Sequence, residues 1–278
     1  MSNSRFEFVK KYEQPKVALP NTFIVVRIDG RSFTEFCSAH NFAKPNDFRQ
    51  IRCMNEAARA VAADFQDIAL AYGHSDEFSF VFRRSTRLFN RREDKIMSCV
   101  VSLFTAAYCL QFGDHFGAPP KRIPSFDARI VLYPTFDDIR AYISWRQVDC
   151  HINNLYNTTF WTMVNKGGLT TKEAHQRLKG SLSKDKNNLL FEEYGINYNN
   201  EPEVAKKGTI YLRFAKKKNH RGNLAKNKER KANRQEEDNM RESKSVVSTI
   251  KAGDVVEISE DMIKDTFYEK YEVEKNLA

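Results

Sequence analysis

The stretch IALAYGHSDEFSFVF, residues 68–82, limits the possible folds of this chain more than any other. Two apolar runs, Ile68 to Tyr72 and Phe78 to Phe82, flank the polar tip GHSDE, the signature of a β-hairpin. Side chains alternate along a strand, so Phe78, Phe80 and Phe82 share one face and Ser79 and Val81 the other. The tip then carries Ser75, Asp76 and Glu77.

The flanking segments fix the context of that hairpin. Thr22 to Ile28, bounded by LPN and DG, reads as a short buried strand. KPNDFRQIRCMNEAARAVAADF keeps Ile51, Met54, Ala58, Val61 and Phe65 at helical spacing, with Asn46 or Asp47 as its cap. REDKIMSCVVSLFTAAYCLQF is a second helix and DARIVLY another strand. The order strand, helix, hairpin, helix, strand is a βαββαβ split unit of ferredoxin-like, α+β type. It predicts an antiparallel or mixed sheet with helices on one face. TFDDIRAYISWRQVDCHINNLYNTTFWTMVNK is largely helical, KGTIYLRF is a strand, and the end regains spacing suited to a strand and a short helix. The expected organisation is a catalytic core over 1–135, a helical and strand region completing it over 136–214, a basic insertion over 215–246 and a C-terminal tail over 247–278.

Charge separates the insertion from the rest. Residues 216–244 hold eleven Lys or Arg against five Asp or Glu, which is +6 of the chain's +9. Such a segment, almost without apolar residues, is expected to be exposed and flexible, either as a simple disordered insert or as an added salt-sensitive attraction to RNA phosphates. The five cysteines (Cys37, Cys53, Cys99, Cys109, Cys150) form no CxxC pair, which points to reduced thiols and away from a zinc site. The start MSNSRFEFVK lacks the apolar core of a signal peptide. No uninterrupted apolar run reaches the roughly 18 residues of a membrane span. A cytoplasmic location, with the nucleus also open, is the expectation.

The chemistry concentrates at two strand ends. In a βαββαβ unit the first strand lies beside the central hairpin, so Asp29 and Asp76 come side by side. Paired carboxylates repel unless a cation joins them, and Mg²⁺ takes one or two carboxylates together with substrate phosphates. Gly30 offers a carbonyl, and its missing side chain lets the amides of Arg31, Ser32 and Phe33 face a triphosphate. Taken singly, DG at a strand end and SDE at a hairpin are ordinary turns.

The segments VVRIDGRSF, FAKPND, AYGHSDEFSFVF, SWRQVDCHINNLYNTTFW and NYNNEP resemble the tRNA-histidine guanylyltransferase (3′–5′ polymerase) family from about Arg5 to Phe214. The SDEF tip also looks like that of diguanylate cyclases, whose polymerase-palm fold this family shares. The resemblance implies addition of a guanylate to the 5′ end of histidine tRNA. ATP adenylylates the 5′-monophosphate, the 3′-hydroxyl of GTP attacks, and pyrophosphate is then removed. It implies two Mg²⁺ ions bound by Asp29, the Gly30 carbonyl and Asp76, with Glu77 also needed for catalysis. Gly30, Arg31, Ser32, Phe33, Thr34 and Ser75 would cradle the GTP triphosphate, with Lys44 and Asp47 near the nucleotide. Arg27, Arg92 and Lys95 look like a second triphosphate-binding set. His151, Asn154, Lys186 and Asn199 are implied to support activity or tRNA handling. The partners implied are histidine tRNA, read in part through its single-stranded anticodon loop, and further copies of the chain in a homotetramer.

Thr34, Phe48 and His74 depart from the family pattern, where histidine, a small residue and glutamine are usual. Two rival readings stay open on sequence: a palm-domain nucleotide cyclase acting on free nucleotide, and a non-catalytic RNA-binding module. The paired Asp29 and Asp76 argue against the second, and the HINNLYN block against the first.

Overall fold

The computed structural model describes residues 4–214 and 255–278. Its centre is a six-stranded sheet in the order β4-β1-β3-β2-β5-β6. The strands are β1 (Phe23–Gly30), β2 (Ile68–His74), β3 (Glu77–Phe82), β4 (Phe126–Tyr133), β5 (Thr209–Arg213) and β6 (Val255–Ile258). Every neighbouring pair is antiparallel. The expected split unit occupies the first four strands, and β5 and β6 extend the sheet beyond β2. The register sets Asp29 opposite Glu77 on one side and Asp127 on the other.

Helices cover both faces, not one as the element order predicts. α2 (Phe48–Asp64) and α3 (Glu93–Phe116) lie on one face, where Val61 and Phe104 pack with Ile28, Phe78 and Phe80. α4 (Phe136–Asn165) and two short helices, Asp265–Lys270 and Val273–Leu277, cover the other. There Tyr142, Ile143 and Tyr271 meet Val25, Leu70 and Val81. Both faces of β3 are therefore buried: Ser79 is 1 % exposed and Val81 fully enclosed. A polar residue at this depth signals the second layer, and the Ser79 hydroxyl meets the Tyr142 hydroxyl at 2.6 Å.

Local signals explain the helix ends. Asp47 caps α2 by accepting from the Arg49 amide at 3.0 Å. Thr135 and Asp138 form a reciprocal capping box at the start of α4. α1 (Phe33–Ala39) follows β1 directly, entered through Ser32 in a left-handed conformation (φ 51°). α5 (Thr171–Leu178), α6 (Ser183–Tyr194) and α7 (Glu203–Lys207) pack against α4. By length and composition α3 is apolar enough to cross a membrane, a test that a core helix also passes. Its Val100, Phe104, Tyr108 and Phe112 are built into the sheet core. The basic stretch 216–244 lies outside the described residues.

Candidate functional site

Two strand ends and three helices converge at one edge of the sheet. β1 ends at Asp29-Gly30, and β2 and β3 are joined by a two-residue turn, Ser75-Asp76. The Gly30 amide donates to the Asp76 carbonyl at 3.0 Å. A methyl group placed on Gly30 would stand 2.9 Å from Asp76 Oδ2. The Phe33 ring is closer still, at 2.5 Å, so ring and carboxylate together leave room only for glycine.

The two aspartates meet different surroundings. Asp76 is bonded by the Ser75 hydroxyl at 3.0 Å, and burial followed by the nearby Asp29 charge pushes its carboxyl up. Burial likewise pushes the Asp29 carboxyl up against the opposing pull of Arg27. Arg27 donates to Asp29 Oδ2 at 2.8 Å and to Glu77 Oε2 at 2.7 Å. Asp29 therefore does have an arginine partner, and Arg27, expected to take a triphosphate, is engaged with two carboxylates.

Glu77 is not aimed into a cavity. It is 7 % exposed and held by Arg27, by Arg146 of α4 at 3.0 and 3.1 Å, and by His74 at 2.9 Å. Burial alone would raise its carboxyl; His74, Arg146 and Arg27 overturn that and bring it down to about 2. Arg146 escaped the sequence reading. Its signal is spacing: Ile139, Tyr142, Ile143, Arg146 and Cys150 form one buried helical stripe, and a cation on such a stripe requires a buried anion.

On the other side of the turn a cavity of about 450 Å³ opens. Its walls include Phe33, Thr34, Lys44, Asp47, Ser75, Asp76 and Asn154, all expected from the sequence, and also Gln50, Tyr156, Trp161 and His175, which are not. Asp47 is occupied by the amides of Ala43 and Arg49 and by the Arg49 guanidinium. These donors, outweighing burial, hold its carboxyl below the usual range. Lys44 lies 5.7 Å from the Trp161 ring centre, and Tyr156 meets His175 at 2.7 Å. The far end of the cavity is thus aromatic and the near end acidic. Gln50 reaches from α2 to the Ser75 carbonyl at 3.0 Å.

Other expected residues fall elsewhere. The Arg31 amide is taken by the Ser125 carbonyl at 2.8 Å, so the expected row of amides begins at Ser32 and not at Arg31. Arg92 and Lys95 start α3 beside Val17, where the chain enters β1. The length of β1, about 23 Å at 3.3 Å per residue, separates that end from Gly30. That length sets Arg92 and Lys95 apart from the Asp29–Gly30 end of the strand. Asn154 is a tie, accepting from Asn46 at 2.9 Å and donating to the Tyr198 hydroxyl at 2.9 Å. His151 stands edge-on to Tyr198, and burial, then Lys206, lower its pKa. Lys186 is buried on the Ser181 carbonyl at 2.8 Å, and Asn199 accepts from Lys206 at 2.6 Å. Both stand away from the cavity lining.

Among the described residues no three His, Cys, Asp or Glu side chains cluster as a metal cage. Two hard carboxylates beside a glycine peptide, both driven toward protonation by burial, are nevertheless a donor set that a divalent cation satisfies.

Comparison with known proteins agrees on one family. The family model tRNAHis guanylyltransferase matches residues 6–134, and the Thg1 C terminal domain model matches 137–263. A tRNA(His) guanylyltransferase of Schizosaccharomyces pombe is 54% identical over 213 residues, 77% of this chain and 82% of that protein. The crystal structure of the Saccharomyces cerevisiae tRNA(His) guanylyltransferase superposes with a TM-score of 0.72 at 48% identity, over 74% of this chain and 92% of that one. A bacterial Thg1-like protein in complex with ATP gives 0.65 at 25% identity, over 75% and 88%.

Proposed function

From the premise that the chain belongs to the tRNAHis guanylyltransferase family and is a nucleotidyltransferase, we propose that it adds a guanylate to the 5′ end of histidine tRNA. The 5′-phosphate oxygen first attacks the α-phosphorus of ATP and pyrophosphate leaves, giving a 5′-adenylylated RNA. The 3′-hydroxyl of GTP then attacks the RNA phosphorus, its proton passes to solvent, and AMP leaves. Removal of pyrophosphate from the new end completes the sequence. The observation that carries this reading is Asp76, which lines a cavity with polar and aromatic walls while standing against Gly30 beside Asp29.

Phosphoryl transfer asks for alignment and charge neutralisation more than for a protein nucleophile. Asp29, Asp76 and the Gly30 carbonyl would hold the Mg²⁺ ions, which when bound neutralise phosphate charge and lower the pKa of the attacking hydroxyl. Ser75, Thr34 and Lys44 border the space for the GTP phosphates and sugar, and Tyr156 and Trp161 give a base a surface to stack on. Glu77, held by Arg27, Arg146 and His74, orients Arg27 and through it Asp29. The ATP complex of the related bacterial protein supports nucleotide binding in this fold. Arg92 and Lys95, at the other end of β1 from Gly30, would serve a second nucleotide site together with Arg27, and a homotetramer would let copies of the chain share one long tRNA.

The test is 5′-end labelling with 5′-monophosphorylated histidine tRNA, ATP, labelled GTP and Mg²⁺. Label confined to histidine tRNA, absent with a phenylalanine tRNA and absent in Asp76→Ala, is the expected result. RNA-independent consumption of GTP would overturn it in favour of a cyclase.

A further inference from the structure

We propose that Gln50 is a positioning residue for this reaction, setting the Ser75-Asp76 turn so that Asp76 stays in register with Gly30. The inference rests on the reading of Asp76 as a reacting-site carboxylate.

The turn is an unfavourable one for its sequence. Ser75 has φ 54°, in the left-handed region that non-glycine residues avoid. Something must hold it there, and three bonds do. The Gly30 amide binds the Asp76 carbonyl at 3.0 Å, the Ser75 hydroxyl binds Asp76 Oδ1 at 3.0 Å, and Gln50 Nε2 binds the Ser75 carbonyl at 3.0 Å. The first ties the turn to β1 and the second is internal to it. The third comes from α2 and acts on the peptide of the left-handed residue itself. Donation to a carbonyl fixes which end of the Gln50 amide faces Ser75, since an oxygen there would repel.

Gln50 is 7 % exposed on the buried stripe of α2 with Met54 and Val61. α2 is itself anchored one turn earlier by Asp47, which also lines the cavity. Gln50 therefore makes the cavity wall and the turn move as one body. A side chain of equal length without a donor fills the same space but frees the turn to relax. Displacement of a reacting group by about 1 Å is enough to cost about 100-fold in rate.

The test compares Gln50→Met, Gln50→Asn and Asp76→Asn with the parent chain. It reads kcat and the KM for GTP in 5′-end labelling, the thermal midpoint, and Mn²⁺ binding from the free-ion paramagnetic resonance signal. For Gln50→Met, kcat is expected to fall about 10- to 100-fold, with KM for GTP within about twofold and Mn²⁺ binding weakened about tenfold. Gln50→Asn keeps an amide but falls one methylene short of Ser75. It is expected to show the same split, and it serves if the methionine variant does not fold. Parental kcat and Mn²⁺ affinity in the folded glutamine variants would overturn the proposal. So would a loss of kcat that only tracks the folded fraction, with Mn²⁺ affinity unchanged. Asp76→Asn retaining full activity and Mn²⁺ binding would overturn the underlying reading instead, whatever the glutamine variants do.

Discussion

Gly30→Ala isolates the steric demand at the site from its chemistry, because alanine keeps the carbonyl and the strand conformation. The added methyl carbon would lie 2.5 Å from Phe33 Cδ2, 2.8 Å from Phe33 Cγ and 2.9 Å from Asp76 Oδ2. Ordinary carbon separations begin near 3.5 Å, so the overlap with the ring is about 1 Å. Phe33 has little room to retreat, since Phe36, Phe126 and Tyr108 ring it at centroid distances of 5.0, 5.6 and 6.1 Å. Overpacking of a filled core costs about 1–3 kcal/mol, and this caged site belongs at the upper end. Alanine returns about 0.5–1 kcal/mol of backbone entropy relative to glycine. The net expectation is a loss of about 2 kcal/mol by urea unfolding, and a loss of about 100-fold or more in 5′-end labelling as Asp76 is pushed from its place. Gly113→Ala is the matching control: nothing lies within 4 Å of the added carbon, and a helix gains about 1 kcal/mol from the change. Parental stability and activity in Gly30→Ala would refute the steric reasoning. A destabilised yet fully active variant would refute only the link from Gly30 to Asp76.

Arg146→Met leaves Glu77 buried with one fewer cation; breaking a buried pair from one side costs about 3–5 kcal/mol, and with Arg27 and His74 remaining, about 3 kcal/mol is expected by denaturant melts. Arg146→Met combined with Glu77→Met should recover most of that stability, and a double variant weaker than either single one would contradict the pairing. Asp47 has a folded pKa below its unfolded value, so its stabilisation is present above the ordinary carboxylate range and lost as pH falls through the folded value. Asp47→Asn preserves a good helix cap, and its melting deficit at neutral pH should shrink on acidification; a pH-independent deficit would rule out the charge as its source. Deleting 216–244 removes +6 of charge and should flatten the salt dependence of tRNA binding, by roughly 0.7–0.9 in log–log slope for each RNA phosphate that the segment neutralises. An unchanged slope would show that the segment touches no phosphates.

The site's acidic edge is legible in the sequence because its parts are local. Asp29-Gly30 and Ser75-Asp76 close adjacent strands, and the alternation of Phe78, Phe80 and Phe82 marks the hairpin that brings them together. What escapes depends on pairings distant in sequence. Nothing beside Gln50 in the chain announces Ser75, and nothing beside Arg146 announces Glu77, although each stands out as polar on an apolar helical stripe. The second helical layer escapes because Ser79 reads as a solvent-facing residue; Val25, Leu70, Tyr72 and Val81 on the same face are the apolar signal for it. The resemblance puts Arg27 on a triphosphate, whereas its partners here are Asp29, two residues on along β1, and Glu77, diagonal to it on β3. Arg92 and Lys95 sit at the opposite end of a strand whose length the spacing of motifs does not reveal.

The two segments matched by the family models meet between residues 134 and 137, and α4 begins at that junction. A protein cut there would not yield two working halves. The first would carry the hairpin and both aspartates, but Val25, Leu70, Tyr72 and Val81 would face water where Tyr142, Ile143 and Tyr271 now cover them. An uncovered apolar sheet face is an aggregation surface. The junction therefore divides the sequence without dividing the folding unit: unfolding should be a single transition, and complementation between fragments should require both to be present during refolding.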